Sequence, residues 1–213
     1  MKALFGVLVF AMVALAQTPT LTLTRTDGQG VIRVPATVSV ELTAAGMQAT
    51  GCAATQWSIV GAPGTMTCTP GTALAVKGLY SAVPVPGGQT NFIVAGGLNV
   101  MVDGVLASCQ VTVPASSNGT FNLAVAGALS TDPQGSRAIA TTAGPSLGFT
   151  GASACDQDAN GRVELLDLTL AEAQVIGLAA CTTADLNGDG KCTIQDLQRE
   201  IVAIATGSCV TGP

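Results

Sequence analysis

Two stretches of the chain carry oxygen-bearing side chains at a spacing that cation binding requires. The first runs from Asp156 to Asp167 and the second, 29 residues later, from Asp185 to Asp196. Oxygen donors stand at positions 1, 3, 5, 9 and 12 of each stretch. They are Asp156, Asp158, Asn160, Glu164 and Asp167 in loop 1, and Asp185, Asn187, Asp189, Thr193 and Asp196 in loop 2. Position 6 is glycine in both (Gly161, Gly190), which permits a sharp turn, and position 7 (Arg162, Lys191) would offer only its backbone carbonyl. This is the spacing of a calcium loop. Calcium takes roughly six to eight oxygens at about 2.3–2.6 Å in irregular geometry, and alternate residues of a tight loop point inward to supply them. Two ions are expected, one per loop. Without them the carboxylates repel one another, so folding of this segment is expected to depend on metal.

Other chemistries fare poorly. The chain of 213 residues has no histidine, which excludes histidine triads, histidine general bases and histidine-ligated zinc. Aromatics are 3%, too few for a stacking platform for sugars or single-stranded nucleic acid. A net charge of −5 argues against phosphate-backbone binding. Between residues 17 and 154 the acids are Asp27, Glu41, Asp103 and Asp132. Glu41 falls on the polar face of an alternating run and the others in turns, so they read as solvated surface acids rather than a glycosidase pair. Trp57 reads as a core aromatic. Asn118-Gly119-Thr120 matches a glycosylation sequon, but a turn explains it without sugar. No catalytic residue is assigned, and the chain is expected not to be an enzyme.

The elements that must hold the loops follow from charge and periodicity. Residues 17–154 balance their four acids with Arg25, Arg33, Lys77 and Arg137, whereas residues 155–213 carry a net −6, which marks a domain boundary. Each loop leads into a helix. Leu165, Leu168, Val175 and Leu178 form one apolar stripe, and Ile194, Leu197, Ile201 and Ile204 repeat it, with Gly177 and Gly207 as stops. From Pro19 to Thr150, short alternating runs such as Val38-Ser39-Val40-Glu41-Leu42 are broken by Gly, Pro and Asn. About nine strands and no helix are expected there, hence an antiparallel β-sandwich. Met1-Lys2, the apolar run Ala3–Val13 and Ala14-Leu15-Ala16 fit a cleavable secretory signal over residues 1–16. The domains are therefore 17–150 (sandwich), 151–154 (linker) and 155–213 (calcium module). The protein is expected to be secreted, extracellular or at the cell surface, with no membrane span.

The duplicated loop closing in Asp rather than Glu, each copy followed by one helix and the first preceded by none, resembles a type I dockerin over residues 155–209. That resemblance implies two calcium ions and docking onto a cohesin-like domain. In that family specificity usually sits at loop positions 10 and 11, often Ser-Thr. Here those positions are Leu165-Leu166 and Ile194-Gln195, so the partner is not carried over. The sandwich is similar to cohesins through Thr37–Leu42, Gly104–Ala107, Leu123–Val125 and Asp132-Pro133-Gln134-Gly135. A cohesin is a nine-stranded jelly-roll. The fold class expected is mainly β: a jelly-roll, cohesin-like sandwich followed by a small α-helical, dockerin-like module.

Seven cysteines suit an exported chain. Cys155–Cys209 would tie the ends of the tail, and Cys181–Cys192 would brace loop 2. Cys52–Cys68 is the first choice in the sandwich, with Cys109 leaving that pairing open. The odd thiol could lock neighbouring chains. Leu166, Leu170 and Ala173 form a second apolar strip on the first helix and are the candidate partner face. The function expected is extracellular assembly through dockerin–cohesin contacts, with another copy of the chain as one candidate partner. A linker this short favours contact between chains over folding back, which would give rings or filaments. The alternative is a carbohydrate-binding or polysaccharide-active sandwich anchored by its tail.

Overall fold

Alternation of inward apolar and outward polar residues builds the first domain, as in β3, where Val38, Val40, Leu42 and Ala44 are buried between exposed or half-buried neighbours. The computed structural model describes residues 18–28, 31–114 and 117–212, so the expected signal segment, residues 1–16, lies outside the described residues. The strands are β1 (Thr20–Arg25), β2 (Val31–Arg33), β3 (Ala36–Ala45), β4 (Ala54–Val60), β5 (Met66–Pro70), β6 (Leu79–Val85), β7 (Gln89–Ala95), β8 (Gly104–Val113), β9 (Gly119–Thr131), β10 (Ala138–Ala140), β11 (Thr142–Ala143) and β12 (Leu147–Ala152). One sheet runs β11-β1-β3-β8-β5, and the other β2-β12-β9-β4-β7-β6 with β10 paired to β9. The three shortest strands, β2, β10 and β11, have only two or three residues, too few for alternation to register. The sandwich is also not purely antiparallel, because β1 pairs β11 and β12 pairs β2 in parallel. A one-turn helix, α1 (Met47–Thr50), follows β3, anchored by Asp103 accepting the amides of Gly46, Met47 and Gln48, and a 3-10 turn (Thr72–Leu74) follows β5.

Between the sheets lies one apolar core. Trp57 stacks on Phe92 with centroids 5.0 Å apart, and Leu21, Leu42, Leu106 and Leu123 are fully buried around them. Each such side chain contributes about 1.5–3 kcal/mol by burial. Asp27 pairs with Arg25, and Asp132 accepts hydrogen bonds from Ser136 and Arg137 in its own turn, so these acids serve local structure.

Two expectations are corrected here. The linker expected at 151–154 begins inside β12, whose backbone pairs Thr150 with Val31, Gly151 with Ile32 and Ala152 with Arg33. In the sandwich the disulfide joins Cys68 to Cys109, not Cys52 to Cys68. Cys68 and Cys109 face each other directly across β5 and β8 with Cα atoms 4.1 Å apart, whereas Cys52 is a buried free thiol behind α1. Its burial removes it from any role in locking neighbouring chains.

The tail adds α2 (Leu165–Val175) and α3 (Ile194–Thr206), which pack against each other. Disulfides join Cys155 to Cys209 and Cys181 to Cys192. The apolar stripes expected inside are largely outside: Leu165 is 71% exposed, Leu178 80% and Ile194 62%. The buried residues are instead Asp167 and Ala171 on α2, and Asp196, Glu200 and Ala203 on α3. Their spacing of three and four still makes one helical face. The face is acidic and small because the two loops, not a leucine core, fill the interior.

Candidate metal centre

Both loops fold on the same backbone-to-side-chain wiring. At position 1, Asp156 accepts the amides of Asn160 (3.0 Å) and Gly161 (2.8 Å), and Asp185 those of Asp189 (3.1 Å) and Gly190 (2.8 Å). At position 12, Asp167 accepts from Gln157 (2.7 Å), Asp158 (3.2 Å) and Glu164 (2.7 Å). Asp196 accepts from the corresponding Leu186 (3.0 Å), Asn187 (3.1 Å) and Thr193 (2.8 Å). Positions 3 and 5 repeat as well: Asp158 and Asn187 accept the amide two residues on, and so do Asn160 and Asp189. The bonds between positions 9 and 12 also form the capping boxes of α2 and α3, so the residue that closes each loop sits in the first turn of each helix.

Gly161 and Gly190 take φ of 89° and 82°, the left-handed conformation that position 6 demands. Position 4 is left-handed too. Gly188 meets this freely at φ 74°, but loop 1 uses Ala159 at φ 60°, a conformation costing an alanine about 1 kcal/mol.

The loops differ in electrostatics. Ligand oxygens of Asp156, Asp158 and Asp167 lie within 4.8 Å of one another, and Asp156 and Asp167 are fully buried. Loop 2 has Asn187 in place of the middle acid, and its first acid, Asp185, is only half-buried. Burial, a hydrogen bond with Asp158 and the charge of Asp167 push the Asp156 carboxyl above its ordinary range, against the amides of Gly161 and Asn160. For Asp196 burial also acts upward, but hydrogen bonds from Thr193, Asn187 and Leu186 outweigh it and hold the carboxyl below its ordinary value. A hard divalent cation is the partner such a donor set fits: carboxylate, amide and hydroxyl oxygens, with an excess of negative charge and, in loop 1, three carboxylates gathered together. The side chains of Arg162 and Lys191 are not among the gathered donors; both are exposed.

Of the candidate partner face, Leu166 is 50% exposed, Leu170 37%, and Ala173 half-buried. On α3, Ile201, expected on the core stripe, is 49% exposed, and its neighbour Val202 is 47% exposed.

No family model matches the sequence, and no curated protein matches it. Among solved structures, the described sandwich superposes on a non-cellulosomal cohesin of the archaeon Archaeoglobus fulgidus at TM-score 0.50 and 15% identity, covering 64% of this chain and 93% of that one. The sandwich has a cohesin-like fold. Similar matches are to a complex of CaCohA2 from Clostridium acetobutylicum (TM-score 0.51, 18% identity, 63% of this chain and all of that one) and to a type I cohesin–dockerin complex of Clostridium thermocellum containing OlpA (TM-score 0.51, 11% identity, 64% and 100%).

The outer face of this cohesin-like sandwich on β9, β4, β7 and β6 has an unusual surface. None of the four strands carries a charged residue. Leu129, Gln56, Ile93 and Ser81 form one row across them, and Ala126, Ser58, Asn91 and Val83 the next. Ile93, Leu129 and Val83 are 49%, 46% and 54% exposed. Asn91 Oδ1 accepts hydrogen bonds from Ser58 (2.7 Å) and Gln89 (2.6 Å), which fixes the polar centre of the face. No helix among the described residues is long and apolar enough to cross a membrane.

Proposed function

We propose that the chain is an exported, non-catalytic assembly protein in which a dockerin-like tail, folded around two calcium ions, docks on a cohesin-like sandwich, that of another copy being the simplest partner. The observation that carries the reading is the residue-for-residue repetition of the same amide-to-oxygen wiring in two loops of calcium spacing. Cohesin-like folding of the first domain supports the assembly role. So does the uncharged face on β9-β4-β7-β6, an apolar-and-amide surface matched in character to the exposed leucines of α2. Asp156, Asp158, Asn160, Glu164 and Asp167 would hold the first ion, and Asp185, Asn187, Asp189, Thr193 and Asp196 the second, with the carbonyls of Arg162 and Lys191. The ions supply charge neutralisation and order, and the chain's residues supply the shape.

Calorimetric titration of metal-free chain tests the first half. Two calcium ions should bind, with Asp167→Ala and Asp196→Ala each removing one. Light scattering at high concentration tests the second. Calcium should raise the apparent mass, and Leu166→Asp with Leu170→Asp, or Ile93→Asp alone, should abolish the rise without loss of calcium. A mass that stays monomeric with calcium rules out another copy as the partner.

A further inference from the structure

The segment entering loop 1 is gripped by side chains of the sandwich. Arg33, at the end of β2, donates from Nη1 to the carbonyls of Ser153 (3.3 Å) and Asp156, and from Nη2 to that of Gln157 (3.0 Å). Asn118, just before β9, accepts the Ser153 amide on Oδ1 at 3.1 Å. A Cβ placed on Gly161 would meet Thr150 Cγ2 at 3.4 Å and Gly119 Cα at 3.6 Å, so the turn of loop 1 lies against the end of the sandwich. Loop 2 is held differently. The carbonyl of its second residue, Leu186, accepts from Gly212 (2.9 Å) and Arg199 (3.5 Å), both in the tail.

We propose that loop 1 is a calcium site shared between the two domains, with Arg33 and Asn118 as positioning residues, so that calcium bound there fastens the tail to the sandwich while loop 2 loads independently of it. The proposal rests on the calcium reading above and deepens it. Arg33 fixes the main chain at positions 1 and 2 of the loop, and thereby aims Asp156 toward Asp158 and Asp167. A guanidinium forks to several carbonyls at once, which one ammonium cannot do. Its charge alone would act the other way, because a cation beside a cation site opposes metal. Positioning and charge therefore predict opposite signs for removal of Arg33. Coupling is also reciprocal: if the sandwich organises loop 1, calcium at loop 1 must stabilise the sandwich.

The test uses the chain from residue 17, in which Trp57 is the single tryptophan and lies in the sandwich core. Competition titration against a chromophoric chelator reads the two calcium affinities, and Trp57 fluorescence during heating reads the sandwich alone. Calcium should raise the Trp57 midpoint of the wild-type chain. Arg33→Ala should weaken one site about 10-fold or more, the usual effect of losing an outer-shell partner, leave the other site unchanged, and shrink the calcium-induced shift. Arg33→Lys should not restore it. Asn118→Ala, at an exposed turn, should act in the same direction and carries the test should Arg33→Ala not fold. Two calcium ions bound with no effect on the Trp57 midpoint, or equal or tighter binding in these variants, would overturn the shared site alone. A wild-type chain that binds no calcium would overturn the reading of the loops themselves.

Discussion

Replacing Glu200 by glutamine should make the calcium-free tail more stable at pH 8 and less dependent on pH between 5 and 8. Glu200 is fully buried on α3. Its Oε2 accepts from Gln157 Nε2 at 3.3 Å, and its Oε1 has no hydrogen-bond partner among the described residues. Burial, joined by the charges of Asp167 and Asp156, pushes its pKa from the ordinary 4.5 up to about 7, against the Gln157 bond. The folded state thus holds this proton more tightly than the unfolded one. Stability from this group is fully present below about pH 4.5, falls as pH rises through the window to about 7, and stays low above it. The gap corresponds to about 3 kcal/mol. Glutamine keeps the shape and carries no charge, so it escapes that loss. The assay is urea unfolding in chelator at pH 5 and pH 8, followed at 222 nm, where α2 and α3 dominate. Comparing the two chains isolates the contribution of Glu200 from that of every other carboxylate. With calcium the difference should shrink, because the cation offsets Asp156 and Asp167. Parallel pH profiles for wild type and Glu200→Gln in chelator would refute the reasoning.

Cys52, fully buried and with its thiol pushed up by burial, should resist a thiol reagent in the folded chain and react once per chain in denaturant; reaction in the folded state would contradict its placement. Cys155→Ser with Cys209→Ser opens a 54-residue loop and should cost the tail about 4 kcal/mol, read as a lower urea midpoint at 222 nm with the Trp57 transition less affected. Ala159→Gly should stabilise calcium-free loop 1 by up to about 1 kcal/mol, because glycine takes the left-handed conformation freely. Leu106→Ala should lower the Trp57-detected stability by roughly 2–5 kcal/mol, the range for a buried leucine.

The sandwich was legible wherever strands were long enough to alternate. Val38, Val40 and Leu42 are buried and Ser39 and Glu41 are not, as the pattern requires. Strands of two or three residues gave no such signal, and neither did the parallel pairings, which depend on where the chain returns rather than on local sequence. The two tight loops were legible because loop chemistry is local: every wiring bond spans ten residues or fewer. The helix interior was misread for a physical reason. Hydrophobic periodicity assumes that apolar residues fill the inside, and here Asp167, Asp196 and Glu200 do. Cys68–Cys109 was hidden because it depends on the register between β5 and β8, 41 residues apart in sequence. Arg33 was unreadable as a clamp because its partners lie 120 to 124 residues away.

The Cys155–Cys209 bond also decides where mechanical load goes. Tension applied to the chain beyond Cys209 would pass through that sulfur bridge straight to Cys155, bypassing both helices and both loops. From Cys155 the tension enters β12, whose hydrogen bonds to β9 and β2 lie across the strand and are loaded together in shear. The tail would keep its shape under pull, and the sandwich would bear the strain along its own sheet.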